Sequence, residues 1–197
     1  MYLTAFIGGL AVFFAVHFYT SFRSRGEDSL AHRMGRGPYM GLYSLLSLVS
    51  FAAMVWGYAY LKPWRDVWTP PDWTRWVSII IMIPAMVLIV AAYAPTGYIK
   101  KAVRHPMITA VALWAAAHLI SNGDLASVIL FGAFLIYGVV DRVAVAERGD
   151  IGAGKVEHPN ILGDFLAVGL GLSLFAILAF YAHYIIFSVP VMLPSAG

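Results

Sequence analysis

The chain alternates long apolar runs with short polar stretches, and the spacing predicts an all-α, polytopic transmembrane bundle of about six helices. The runs are continuously apolar, without the every-second-residue alternation of barrel strands, so they are read as helices. The first covers residues 2–22 and enters the polar loop RSRGEDSLAHRMGRGP; the second covers residues 39–61. A connection rich in Trp and Pro, KPWRDVWTPPDWTRW, leads to the third, residues 77–98, where Pro84 and Pro95 are expected kinks of the kind neighbouring helices accommodate. The fourth, residues 106–121, is short and needs company. A tight Asn122-Gly123-Asp124 turn joins it to the fifth, residues 125–143, so these two are expected to form an antiparallel hairpin. The sixth covers residues 161–187 after a polar loop around residues 147–160, and the tail SVPVMLPSAG has little to bury.

Composition turns these runs into membrane spans. Hydrophobic residues make up 61% of the 197 and charged residues only 12%, against about 25% charged in soluble domains. A soluble core cannot hide that much apolar surface, and the runs are long enough to cross roughly 30 Å of hydrocarbon. The lipid bilayer is therefore the expected surrounding, and a bacterial inner membrane the expected location. The first run has no Lys or Arg ahead of it and no small-residue cleavage site, which reads as a retained helix. One domain is expected over residues 1–190, with a short tail over 191–197.

Charge then orients the bundle. Arg23, Arg25, Arg33, Arg36, Lys100, Lys101, Arg104, Arg142, Arg148 and Lys155 fall in the loops after the first, third and fifth runs; Lys62, Arg65 and Arg75 fall on the other side. Ten against three places the first set in the cytoplasm and both termini outside. The net charge of +3 thus reports topology, not nucleic-acid binding. Trp64, Trp68, Trp73 and Trp76 suit the aromatic belt at an interface. The absence of cysteine excludes disulfides, thiolate metal sites, c-type haem attachment and cysteine catalysis.

Small residues mark expected helix contacts. Gly163, Ala167 and Gly171 recur at four-residue spacing, and Ser44, Ser47, Ser50 and Met54 form a stripe whose hydroxyls need partners. Asp141 and Asp164 lie near helix ends, where ion pairing or solvation is the plain reading and a proton relay the alternative.

Ionisable side chains are costly in hydrocarbon, so the intramembrane histidines carry the functional hypothesis. His17 shares its stripe with Gly9, Phe13 and Thr20, which faces inward. His118 has Val111 and Ala115 below it and Ser121 above, a small face against which a flat macrocycle fits, with Trp114 as a wall. Neutral imidazole is a common ligand of haem iron, and two from facing helices make a b-type site; the alternative is hydrogen bonding between helices. His105 precedes Pro106 at a helix start, either as a cap-region residue or as a partner, with Arg104, Lys100 and Lys101, for a propionate or another anion. His32 and His158 read as solvated loop residues, and His183, beside Tyr181 and Tyr184, as an interface residue.

Depth leaves the pairing open. At 1.5 Å per residue, His17 lies roughly 7 Å from the cytoplasmic boundary and His118 about 20 Å above it. Two axial nitrogens must lie about 4 Å apart, from bonds near 2 Å each. His17 with His105 fits better on depth alone.

Several blocks resemble the NnrU family: His17, the run Gly41-Leu-Tyr43-Ser44-Leu-Leu-Ser47, Trp64 with Pro70-Pro71-Asp72-Trp73, and above all RHPMITAVALWAAAHLISNGDL from Arg104 to Leu125. The likeness covers roughly residues 1–148. It implies a polytopic membrane protein linked to denitrification and nitrogen-oxide metabolism, in a family that includes 15-cis-ζ-carotene isomerases using haem b. By that resemblance His17 and His118 match the two histidines implicated as haem ligands, and His105 matches a further histidine. The isomerase branch has a cysteine, proposed as an alternative ligand, where this chain has Ala115, so that ligand exchange is impossible here.

Three function classes follow. The first is a haem-b protein between the first and fourth helices, handling electrons, nitrogen oxides or a lipophilic polyene such as ζ-carotene, with a membrane redox partner or that substrate; whether it is an enzyme stays open. The second is a methyltransferase, because Arg-His-Pro also opens a motif of isoprenylcysteine methyltransferases, although Met107-Ile108-Thr109 follows here instead of the expected Tyr and Gly. The third is a non-catalytic assembly or accessory subunit.

Overall fold

The computed structural model describes residues 1–23, 29–62, 64–187 and 191, which contain helices and no strand. In chain order the helices are α1 (Tyr2–Arg23), α2 (Leu30–Met34), α3 (Arg36–Leu61), α4 (Trp73–Tyr93), α5 (Tyr98–Val103), α6 (Pro106–Ser121), α7 (Leu125–Glu147) and α8 (Ile161–Ile177). The last runs on through a π turn (Leu178–Ala182) into α9 (His183–Phe187). Five segments are long and apolar enough to cross a membrane, and α6 is a shorter apolar helix. All six expected segments are helical, five of them of spanning length. Arg25 and all of the tail but Val191 lie outside the described residues.

The third span differs most from expectation. It starts at Trp73 because Thr74 donates both its amide and its hydroxyl to the Pro71 carbonyl, at 2.9 and 2.6 Å. It stops at Tyr93 because Pro95 forces the preceding Ala94 into extended backbone (ψ 161°). Pro84 lies inside the helix as anticipated; Pro95 ends it instead of kinking it. Residues 98–103 then form the separate α5.

The chain folds as two compact units, Met1–Thr69 with Asn122–Arg148, and Pro70–Ser121 with Gly149–Gly197. The chain passes from the second unit to the first at the Asn122-Gly123-Asp124 turn, so the fourth expected span belongs to the second unit and the fifth to the first.

In the first unit α1 packs along α3, with α7 against both. The two helices meet through glycines. A Cβ at Gly9 would lie 2.6 Å from the Met54 nitrogen and 2.7 Å from the Ser50 oxygen; one at Gly57 would lie 2.5 Å from the Phe6 nitrogen. Sequence order reverses between these two contacts, so the pair is antiparallel. Phe6 and Met54 fill the seam at 0% and 1% exposure. The serine stripe does not bond between helices: Ser50 Oγ donates back to the Leu46 carbonyl at 2.5 Å, Ser44 is exposed, and Ser47 Oγ has no hydrogen-bond partner among the described residues. At the far end Asp124 caps α7, accepting from the Ser127 amide at 3.1 Å and its hydroxyl at 2.5 Å. Tyr58 and Ser127 hydroxyls meet at 2.9 Å, tying α3 to α7.

In the second unit α4 lies against both α6 and α8. Ser78 donates to the Ala117 carbonyl at 2.6 Å, joining α4 to α6. The Gly163-Ala167-Gly171 stripe does what its spacing predicts. Gly171 packs on the Val87 backbone of α4, Gly163 on Pro95 and Gly97, and Ala167 is 1% exposed. Asp164 makes no ion pair among the described residues and is not simply solvated; its carboxylate accepts from the amides of Tyr98 and Ile99 at 2.8 and 2.9 Å, capping α5 from another helix. Lys100 closes the end of α4, donating to the carbonyls of Ala92 and Ala94 at 2.8 and 2.9 Å. Replacing Asp164 by Ala is expected to cost about 1–2 kcal/mol, because it strips an anionic cap from two amides. Hydrogen exchange at Tyr98 and Ile99 rising by about tenfold, with α6 amides unchanged, is the measurement that checks it.

Candidate functional site

His17 sits on α1 in an aromatic enclosure. The Phe13 ring stacks on it at 3.9 Å, Tyr43 approaches at 5.2 Å, and Tyr137 presents an edge at 5.6 Å and 88°. Its Nδ1 lies 2.6 Å from the Phe13 carbonyl. A carbonyl can only accept, so Nδ1 carries the hydrogen and Nε2 of the neutral ring keeps a lone pair. Among the described residues Nε2 has no hydrogen-bond partner. Asp141 lies within electrostatic range of His17, Tyr43 and Tyr137. The sequence places it at a helix end; instead α7 continues to Glu147 and Asp141 is buried, at 7% exposure. Tyr43 also lines an apolar cleft of about 200 Å³ with Ala15, Val16, Tyr19 and Leu46.

His118 sits on α6 in the other unit with the same local device. Its Nδ1 lies 2.8 Å from the Trp114 carbonyl, one turn back, so Nε2 again holds the lone pair. The Trp114 ring stands 5.1 Å away, tilted by 47°, which is the wall the sequence suggests. His183 faces the same ring at 6.5 Å, with 29° between the planes. The smooth face is partly committed already, since Ala115 is fully buried.

Arg104 and His105 form a different structure. His105 Nε2 donates to the Asp150 carbonyl at 2.8 Å, and the Arg104 carbonyl accepts from the Ala153 amide at 3.1 Å. Gly152, at φ +49°, fits here because a Cβ would stand 2.5 Å from the Arg104 oxygen and 2.8 Å from the His105 ring. Arg104 is the one non-glycine residue at positive φ (69°) among those described, a strain of about 1–3 kcal/mol. This clamp holds residues 150–155 against the start of α6. Lys100 and Lys101 do not gather around an anion: Lys100 caps α4 and Lys101 donates to the Glu157 carbonyl at 3.2 Å. The exposed Arg104 guanidinium makes no ion pair among the described residues and is the basic group left for one. His105→Ala is expected to free the 150–155 segment, read as about tenfold faster exchange at Ala153 and Gly154, while leaving the environments of His17 and His118 unchanged.

No group of three or more His, Asp or Glu side chains fit to hold a metal ion occurs among the described residues. A self-contained zinc-type site is therefore not built there. Haem asks less of the protein, since its iron needs only one or two axial imidazoles. His17 and His118 fit that demand: each has one nitrogen anchored on a carbonyl, the arrangement that fixes tautomer and ring orientation in metal-ligating histidines. His105 fits it less well, because its Nε2 is spent on Asp150. Sequence reasoning names His17, His118, Trp114, Arg104 and His105. It misses the Tyr137 edge, the burial of Asp141 and the approach of His183, all set by packing between segments distant in sequence.

Apolar helices of spanning length that meet through glycine seams define an all-α, polytopic integral membrane protein. The chain belongs to the NnrU family, whose model, described as NnrU protein, matches residues 5–191. No curated protein and no solved structure matches the chain detectably.

Proposed function

We propose that this NnrU protein binds haem b through an intramembrane histidine, with His118 and His17 each a candidate imidazole donor. One observation carries the reading: two intramembrane histidines each bind a backbone carbonyl one turn back through Nδ1 and so present Nε2 as the lone-pair nitrogen. Haem supplies one-electron chemistry or an electrophilic iron when bound. The residues of the chain do the rest. Phe13 and Tyr137 hold the His17 ring, Trp114 holds that of His118, and Arg104 offers a cation to a propionate. The apolar cleft beside Tyr43 suits a lipophilic substrate or a redox partner's tail. By family resemblance the setting is nitrogen-oxide metabolism in a bacterial cytoplasmic membrane, with isomerisation of a polyene such as ζ-carotene as the related chemistry.

The test is the absorption spectrum, oxidised and dithionite-reduced, of protein purified in mild detergent from cells supplied with a haem precursor. A Soret band with about one haem per chain supports the reading. A colourless protein that also fails to take up added hemin overturns it.

A further inference from the structure

We propose that His183 is a positioning residue for His118, brought into place by the π turn that precedes it. This deepens the haem reading, on which its functional meaning rests. The His118 ring is tied at one nitrogen to the Trp114 carbonyl and flanked by the Trp114 ring at 5.1 Å, both from its own helix. From another segment the His183 ring reaches it, at 6.5 Å and 29°. That separation and near-parallel attitude lie within the range of favourable offset ring pairs.

The local backbone explains how a residue so far along the last segment comes to face α6. The inward face of α8 runs through Gly163, Ala167 and Gly171, all buried. Four-residue steps on a regular helix drift by about 40° each, so a stripe extended by fours through Phe175 and Ala179 to His183 would rotate off that face. The π turn over Leu178–Ala182 adds one residue to a turn and so takes back part of that drift, about 100°. Within the turn Ala179 is buried, at 8% exposure, while Phe180 and Tyr181 are exposed at 56% and 67%. Single π turns inside α-helices recur at functional sites, and this one delivers an imidazole to the ring argued to bind iron.

The experiment reads the His118 ring directly and needs no haem. Full-length protein labelled with ¹⁵N-histidine, in detergent micelles without haem, gives six imidazole spin systems assigned by single-histidine variants. In the parent, His118 is expected as a fixed Nδ1–H tautomer. In His183→Ala its two ring nitrogens should move toward averaged shifts while His17 and His105 stay put. His183→Phe, which keeps a ring, should retain the parent signature. Deleting the exposed Phe180, which turns the π turn into a regular helix, should reproduce His183→Ala. A His118 signature unmoved by both His183→Ala and the deletion overturns the proposal. The same variants loaded with hemin give a second readout: His183→Ala should keep its haem but change the reduced-to-oxidised ratio at fixed potential by at least threefold. Failure of the parent to bind hemin would overturn the haem reading alone; a His118 signature that still depends on His183 would leave the positioning role standing.

Discussion

Replacing His118 by Ala is expected to lower haem content by at least tenfold, and His17→Ala to do the same or to convert the spectrum to that of a five-coordinate iron. The size follows from what is removed. Loss of a partner that merely orients a metal ligand costs 10–100-fold in affinity, and loss of the ligand itself costs no less. The fold should survive either change. His118 lies on a helix whose core contacts are Ala110, Ala115 and Ala117, and the Trp114 carbonyl keeps its backbone bond one turn on. His105→Ala provides the contrast, since that ring already donates Nε2 to Asp150 and should leave haem content near the parent value. His118→Gly with imidazole added to the medium should recover the Soret band, which separates a missing ligand from a damaged fold. A His118→Ala protein that keeps a full complement of six-coordinate haem would remove His118 from the site.

Most of the architecture is legible because the bilayer enforces it. A span must be a helix of about twenty apolar residues, so six apolar runs announce six helical segments. The errors cluster where backbone chemistry, not hydropathy, decides. Hydropathy places Pro95 inside a span, yet an X-Pro bond disfavours helix in the residue before it, and Ala94 is extended for that reason. Asp141 reads as terminal because Arg142 follows it, yet α7 runs on past both. The small-residue stripe of α8 packs as its spacing implies, since a Gly-Ala-Gly series at four-residue intervals has few other uses in a membrane helix.

The site is legible in its residue types and not in its surroundings. His17 and His118 stand out because an ionisable group inside a span needs a reason to be there. That both rings share one local hydrogen bond follows from helix geometry, because an imidazole on a helix reaches the carbonyl four residues back. What neither pattern nor spacing holds is the company each keeps. Tyr43, Tyr137 and Asp141 reach the His17 neighbourhood from two other helices. The two lysines expected to gather around His105 are instead spent on carbonyls, because α4 and the 150s loop end close by with bare acceptors that lysines satisfy.

The second large effect concerns the seam between α1 and α3. Gly57→Leu is expected to lower the thermal midpoint of the detergent-solubilised protein by about 6–12 °C. A Cβ at this position would stand 2.5 Å from the Phe6 nitrogen and 2.7 Å from the Tyr2 oxygen. Both are backbone atoms of a helix, so neither can swing aside as a flexible side chain would; relief requires moving α1 as a body. Overpacking costs about 1–3 kcal/mol where side chains can adjust, and this site belongs at the top of that range or above it. In a chain of this length each kcal/mol shifts the midpoint by about 2–4 °C. Gly9→Leu should behave alike, because it meets the Met54 nitrogen and the Ser50 oxygen across the same seam. Gly8 is the control: a Cβ there would have nothing within 4 Å, and Gly8→Ala should hold the midpoint or raise it, through the roughly 0.5–1 kcal/mol that glycine costs a helix interior. Adjacent glycines thus carry opposite expected signs, and equal melting of Gly8→Ala and Gly9→Ala would refute the close backbone approach itself. The same seam sets the stripe on which His17 lies, so a Gly57→Leu protein that still folds should also take up less hemin.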